Sequence, residues 1–308
     1  MKVAVALSGG GSKGAFSAGV IKGILRKVDE FVCAFGSSTG SLVATCIAGG
    51  MYDFMTRVYT LVNTGNIVKP LIWEGIPFIG DNFDSPDIPL EALLGYSVLT
   101  KKLNIYSIAP LMELIDANVD FKELIKSKID FGYLVSNWGK NTPRFYSNKQ
   151  AATSPEALRK ALEASVSIPI FMAPVKIPGS QGEFVDGGLT RHLPGQEILS
   201  SKRYKEADVV LFVSTIPIKP DTAKIPTNII SVLSHTLFGL SDSCDLNSLD
   251  YETLYVKTQA EKDGKKFIVV RPDADLGFSS SLDFNPGKMK IAFNVGIEKA
   301  KNEIIPYL

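Results

Sequence analysis

The sequence predicts an α/β domain with a mostly parallel central sheet covered by helices, and three observations carry that expectation. Short apolar runs of strand length recur: VAVAL at 3–7, FVCAF at 31–35, FGYLVS at 131–136, ADVVLFVS at 207–214 and KFIVV at 266–270. Runs of this kind are typical of strands buried on both faces. Between them lie segments with helical spacing, and alternation of strand with helix implies parallel pairing. The first two runs end in glycines, the mark of tight strand-to-helix turns.

Taken in order, residues 3–7 run into Gly9-Gly10-Gly11, after which Phe16, Val20, Ile21, Ile24 and Leu25 recur at helical spacing. The second run stops at Gly36, and SLVATCIAGG then has the composition of a tightly packed helix closed by glycines. The first fifty residues thus read as a βαβα unit. Between Asn66 and Tyr96 the pattern dissolves into KPLIWEGIPFIGDNFDSPDIPLEALLGY, rich in proline and large apolar side chains without a steady period. It reads either as a lid or pocket wall or as an ordinary packed excursion from the sheet. Farther on, Ser154 and Pro155 supply an N-cap and first-turn proline for a helix through LRKALEA. No repeat, low-complexity tract or linker divides residues 1–308, so one domain is expected.

With 308 residues and 45% hydrophobic content the chain can bury a sizeable core. Lys plus Arg number 33 against 32 for Asp plus Glu, a net charge of +1 that gives no reason to expect nucleic acid as a partner. Cys33, Cys46 and Cys244 are too few for a disulfide framework and read as reduced, buried thiols. The apolar stretch in MKVAVALSGGG is far short of a signal-peptide core or membrane span, so the expected location is the cytosol.

Gly36-Ser37-Ser38-Thr39-Gly40 is a G-x-S-x-G pentapeptide between an expected strand and an expected helix, the context that gives this motif its chemical meaning. A sharp strand-to-helix turn needs glycine on either side of the serine. It leaves the hydroxyl at a helix N-terminus, where the dipole favours developing negative charge. The bland alternative is a serine that only caps its helix. Gly9-Gly10-Gly11-Ser12-Lys13-Gly14 opens the first helix, so its N–H groups can converge on an anion, either a phosphate or an oxyanion. A dinucleotide fingerprint demands an acidic residue at the end of the second strand, about 20 positions on, whereas here that strand ends at Gly36; nor is this a Walker A loop, because Gly14 follows Lys13. An oxyanion site explains both glycine turns together, since neighbouring parallel strands end at one edge of the sheet.

A serine needs a base, and the chain has two histidines. His235 lies in an apolar helical pattern, NIISVLSHTLFGL, while His192 follows DGGLTR in a loop. The order Ser38, Asp186, His235 matches α/β-hydrolase triads, yet that fold places several strands before its elbow and here only one βα unit precedes Ser38. Asp186 sits in EFVDGGL before Gly187 and Gly188, placed to approach another loop closely or to form an ordinary Asp-Gly turn.

Together these motifs resemble the patatin-like phospholipase family over nearly the whole chain. GGGSKG at 9–14 is similar to its oxyanion loop, GSSTG at 36–40 to its elbow and DGG at 186–188 to its aspartate motif, in that order and at the usual spacing. ALEASVSIPIFMAPVKI at 161–177 and SLDFNPGKMKIAFNVGIEKAK near the carboxyl terminus agree with it as well. His192 departs from the pattern, standing where the family commonly has Asn. The resemblance implies a three-layer α/β/α fold and a lipid acyl hydrolase with Ser38 as nucleophile, Asp186 as sole base, and no metal or cofactor. Gly9, Gly10 and Gly11 would form the oxyanion loop, with burial raising the Asp186 pKa. Lys13 would either aid the loop electrostatically or remain solvated. The implied partner is a lipid or acyl-ester substrate, met in solution or by transient contact with a membrane surface. Two other readings stay open: a lipid-binding or scaffold protein without turnover, and a nucleotide-binding protein using the 9–14 loop.

Overall fold

The computed structural model describes residues 1–71, 104–150, 153–219 and 250–308. Its main sheet contains β1 (Lys2–Leu7), β2 (Glu30–Ser37), β3 (Asp130–Asn137), β4 (Thr142–Ser147), β5 (Phe184–Asp186), β6 (Val209–Val213) and β7 (Lys266–Val270). The strand order is β4-β3-β2-β1-β6-β7, with β5 also on β3. The β3–β2–β1–β6–β7 run is parallel throughout, whereas β4 and β5 join β3 antiparallel. Each apolar run read as a strand is one.

Side-chain alternation along β1 sets the layers. Val3, Val5 and Leu7 enter one core cluster while Ala4 and Ala6 enter the other, as the two-residue period of a strand requires. The first face is covered by α1 (Gly14–Ile24), α2 (Thr39–Ala48), α3 (Tyr52–Leu61), α4 (Ala109–Asp116), α5 (Pro155–Ser165) and α8 (Pro286–Lys299). The opposite face is covered by α6 (Gly195–Ser200) and α7 (250–262), through Ile198, Val256 and Ala260. The result is the expected α/β/α arrangement. Ser154 caps α5 as read from the sequence, its side chain accepting from Ala157 N–H at 3.0 Å.

One strand departs from expectation. The run at 266–270 reads as buried on both faces, yet β7 is an edge whose Lys266 is exposed and whose next three residues are half-buried. Among the described residues only β6 pairs with it, so one edge of β7 has no strand beside it to help shield its side chains from solvent. Of the irregular stretch at 66–96, residues 72–96 lie outside the described residues, as do His235 and Cys244. No helix among the described residues is long and apolar enough to cross a membrane.

Candidate active site

The turn from β2 into α2 places Ser38 in a conformation that L-residues rarely adopt, φ 50° and ψ −127°. These are the angles of the first central residue of a type II′ turn, a glycine position, and holding serine there stores about 1–3 kcal/mol of strain. Tight neighbours enforce the turn: a Cβ on Gly40 would collide with the carbonyls of Leu7 and Ser8, and one on Gly36 with the Gly40 backbone. The two flanking glycines of the pentapeptide thus let α2 start against the end of β1.

The register of β3 brings Asp186 to this turn. On one edge of β3, β2 pairs from Asp130 to Leu134, its last pair being Ser37 with Leu134. The next three residues on that edge, Val135 to Asn137, pair with β5, Asp186 lying opposite Val135. The other edge is occupied by β4. The strand carrying Ser38 therefore ends on the β3 edge where the strand carrying Asp186 arrives from the opposite direction. Gly187 sits so close that a Cβ there would come within 2.8 Å of Ser37 Oγ. Both Ser38 and Asp186 are buried.

The carboxyl-terminal end of α5 ties the two together, through residues whose individual roles the sequence did not reveal. Ser38 N–H donates to Ser165 Oγ at 3.0 Å, and Asp186 N–H donates to the Ser167 carbonyl at 2.9 Å. Ser165 Oγ donates in turn to the Leu134 carbonyl at 2.6 Å, so the 2.8 Å contact with Ser41 Oγ must have Ser41 as donor. One hydroxyl thus fills its full complement of one donated and two accepted bonds. Ser38 Oγ itself bonds to no described residue, Asp186 included, while Asp186 Oδ1 accepts from Gly188 N–H at 2.8 Å. Replacing Ser165 with Ala leaves a buried N–H unpaired at a cost of about 1–3 kcal/mol. Ser165→Ala is expected to lower kcat by roughly 10–100-fold with KM and the pH profile unchanged, because a shift of the elbow costs reaction geometry and not binding. Unaltered kcat in a folded variant would deny Ser165 this positioning role.

The glycine loop lies beside the elbow, a Cβ on Gly9 falling 3.0 Å from Ser38 Cβ. Gly10 and Gly11 have φ of 137° and 56°, and a side chain on either would strike Thr215 or the Ser281 carbonyl. The Thr215 hydroxyl donates to the Gly9 carbonyl, and Lys13 N–H donates to the Gly10 carbonyl at 3.1 Å. In a trans peptide the N–H opposes the carbonyl, so these bonds fix where the Gly10 and Gly11 N–H groups point. Among the described residues neither amide donates to anything, whereas Ser12 N–H is used by the Ser281 carbonyl at 2.9 Å. Gly14 opens α1 against Thr39, and Lys13 makes no ion pair among the described residues. Thr215 directly extends the strand run at 207–214, a placement that could have marked it. Ser281 carries no such signal.

After Gly188 the loop runs through Arg191 and the buried His192, whose Nε2 lies 3.5 Å from Ser214 Oγ, into α6. Beneath it, buried Glu252 of α7 accepts from Gln196 N–H at 2.8 Å and lies 3.9 Å from Arg191, which itself pairs with Glu197. Burial pushes the Glu252 carboxyl from 4.5 up to about 7, against the opposing pull of Arg191 and the amide. The folded protein therefore holds a proton that the unfolded chain releases, and this contribution to stability, complete below pH 4.5, is lost as pH rises toward 7. Glu252→Gln is expected to raise Tm at pH 8 and to give little advantage at pH 4.5. A Tm difference independent of pH would contradict this.

Among the described residues no group of three His, Cys, Asp or Glu side chains is arranged to hold a metal. Cys33 and Cys46 are buried thiols pushed up to about 12 by burial, hence neutral.

Ser38 opens into an apolar cavity lined by Leu42, Val58, Ile67, Ile168, Met172 and Met289 among others. Ile67 comes from the described start of the irregular 66–96 stretch. A larger polar groove around Asn137, Arg144 and Gln181 contains neither Ser38 nor Asp186.

A family model described as patatin-like phospholipase matches residues 5–197, a span that includes the glycine loop, the elbow and Asp186. Among solved structures, VipD from Legionella pneumophila is similar over 97% of this chain, with a TM-score of 0.53 and 14% identity. The similarity covers 66% of VipD, and at this identity it speaks for the fold alone. A comparison with curated protein sequences found no match.

Proposed function

The chain belongs to the patatin-like phospholipase family, and from that premise we propose that it hydrolyses fatty-acyl esters of lipids with Ser38 as nucleophile and Asp186 as general base. The observation that carries this reading is the β3 edge, where the strand ending at Ser37 and the strand ending at Asp186 meet at the adjacent residues Leu134 and Val135. In the forward step the Ser38 hydroxyl gives its proton to the Asp186 carboxylate while Oγ attacks the ester carbonyl carbon. The negative charge that develops on the carbonyl oxygen is met by the Gly10 and Gly11 N–H groups, a kind of donor worth about 2.7–4 kcal/mol each. Collapse breaks the ester C–O bond, and the departing alcohol takes the proton from Asp186. Water then attacks acyl-Ser38 as Asp186 accepts its proton, and the fatty acid leaves as Ser38 regains a hydrogen.

No cofactor enters this scheme. The substrate is a lipid ester, met in the cytosol as a dispersed molecule or by transient contact with a membrane surface. The test is a panel of phospholipid, lysophospholipid, glyceride and acyl thioester substrates, with Ser38→Ala as the blank. Release of fatty acid by the wild type alone supports the reading. Binding of lipid vesicles without release from any substrate would favour a lipid-binding scaffold in its place.

A further inference from the structure

A second hollow adjoins the one at Ser38. Along α2, Ser38, Leu42 and Cys46 follow one another at four-residue spacing and share a helix face. Leu42 borders the cavity at Ser38 and also a second apolar hollow lined by Cys46, Phe54, Leu114, Ile115 and Leu162 among others. Leu42, Val58, Tyr59 and Leu111 line both, and so form the septum between them.

The hydroxyl groups that Thr39, Thr45 and Tyr59 bring to these walls are already engaged. Tyr59 OH donates to the Thr39 carbonyl at 3.0 Å and meets Thr39 Oγ1 at 2.6 Å. Thr45 Oγ1 donates to the Ser41 carbonyl at 2.8 Å and lies 2.7 Å from Tyr133 OH. Burial keeps the Cys46 thiol neutral. Beyond the reacting end, among the described residues, these hydroxyls are paired and the Cys46 thiol is only a weak donor, so the chemistry the walls suit is an unbranched hydrocarbon.

We propose that the two hollows form one acyl channel along α2 and that Leu42, packed with Leu111, is the gate that sets the length of chain accepted. This rests on the acyl-hydrolase reading of Ser38. Helical rise puts Leu42 about 6 Å and Cys46 about 12 Å along α2 from Ser38, depths that match roughly five and ten acyl carbons. A short acyl group fits in front of the gate, and a longer one must pass it.

The test is kcat/KM for a series of acyl esters from butanoyl to hexadecanoyl, measured on the wild type, Leu42→Ala, Leu42→Trp and Leu111→Ala. Each methylene newly buried is worth about a factor of four. The ratio of decanoyl to butanoyl turnover is therefore expected to rise at least about ten-fold in Leu42→Ala and Leu111→Ala and to fall in Leu42→Trp. Leu61→Ala, at an exposed position on α3, serves as the control whose ratio should match the wild type. Ratios unchanged in folded Leu42→Ala and Leu111→Ala would overturn the gate. In parallel, displacement of a fluorescent fatty acid from Ser38→Ala by unlabelled fatty acids of graded length reads the channel without catalysis. Length-dependent displacement that extends to longer chains when Leu42→Ala is added supports the channel even if no ester is turned over. Absence of fatty-acid binding overturns it whatever the esterase result.

Discussion

Ser38→Ala is expected to lower ester hydrolysis by about 10⁴-fold or more and to abolish labelling by a fluorophosphonate, while the protein keeps its fold. The expected stability follows from the geometry, since the Ser38 hydroxyl bonds to no described residue and its removal strands no partner among them. The backbone strain at φ 50° remains with Ala and is relieved by Gly. Ser38→Gly should therefore be equally inactive but more stable than wild type, by about 1–2 kcal/mol in denaturant unfolding. Such a pair of outcomes would identify a residue held against its conformational preference for the sake of its hydroxyl. Labelling at another residue, with activity kept in the Ala variant, would remove Ser38 from the reaction.

Asp186→Asn should reduce turnover by the roughly 10²–10⁴-fold associated with loss of a general base. The amide oxygen can still accept from Gly188 N–H, the bond Asp186 Oδ1 makes at 2.8 Å, so the turn and the fold should survive. His192→Asn and His235→Asn should both remain active, the former with some loss through its place in the Asp186 loop. The wild type should also work well below pH 6.5, where an ordinary imidazole base is protonated but a carboxylate is not. A folded, inactive His235→Asn variant, or activity that falls away below pH 6.5, would put a histidine in the mechanism.

Much of this was legible along the chain. The strands β1, β2, β3 and β6 announced themselves as apolar runs because strands buried on two faces tolerate little else, and β7 was found by the same signal although it is an edge. The Gly36 and Gly40 pair was legible because the sharp turn has no room for side chains, a constraint that is local in sequence. The three motifs in order also sufficed to point to the family that the family model supports.

What the sequence left open depends on which strand edges meet. The approach of Asp186 toward Ser38 follows from β5 taking over the β3 edge where β2 ends, a non-local pairing with no periodic trace. Ser165 reads as one more polar residue at the end of an amphipathic helix, and only folding sets its hydroxyl against the Ser38 amide across 127 residues of chain. Thr215 and Ser281 likewise hold the glycine loop from beyond residue 197, where the family match ends. The sequence by itself determined which backbone turns are possible, because steric limits act within a few residues. The tertiary structure decided which groups face one another there, because hydrogen bonds and packing depend on the distance between atoms and not on their separation along the chain.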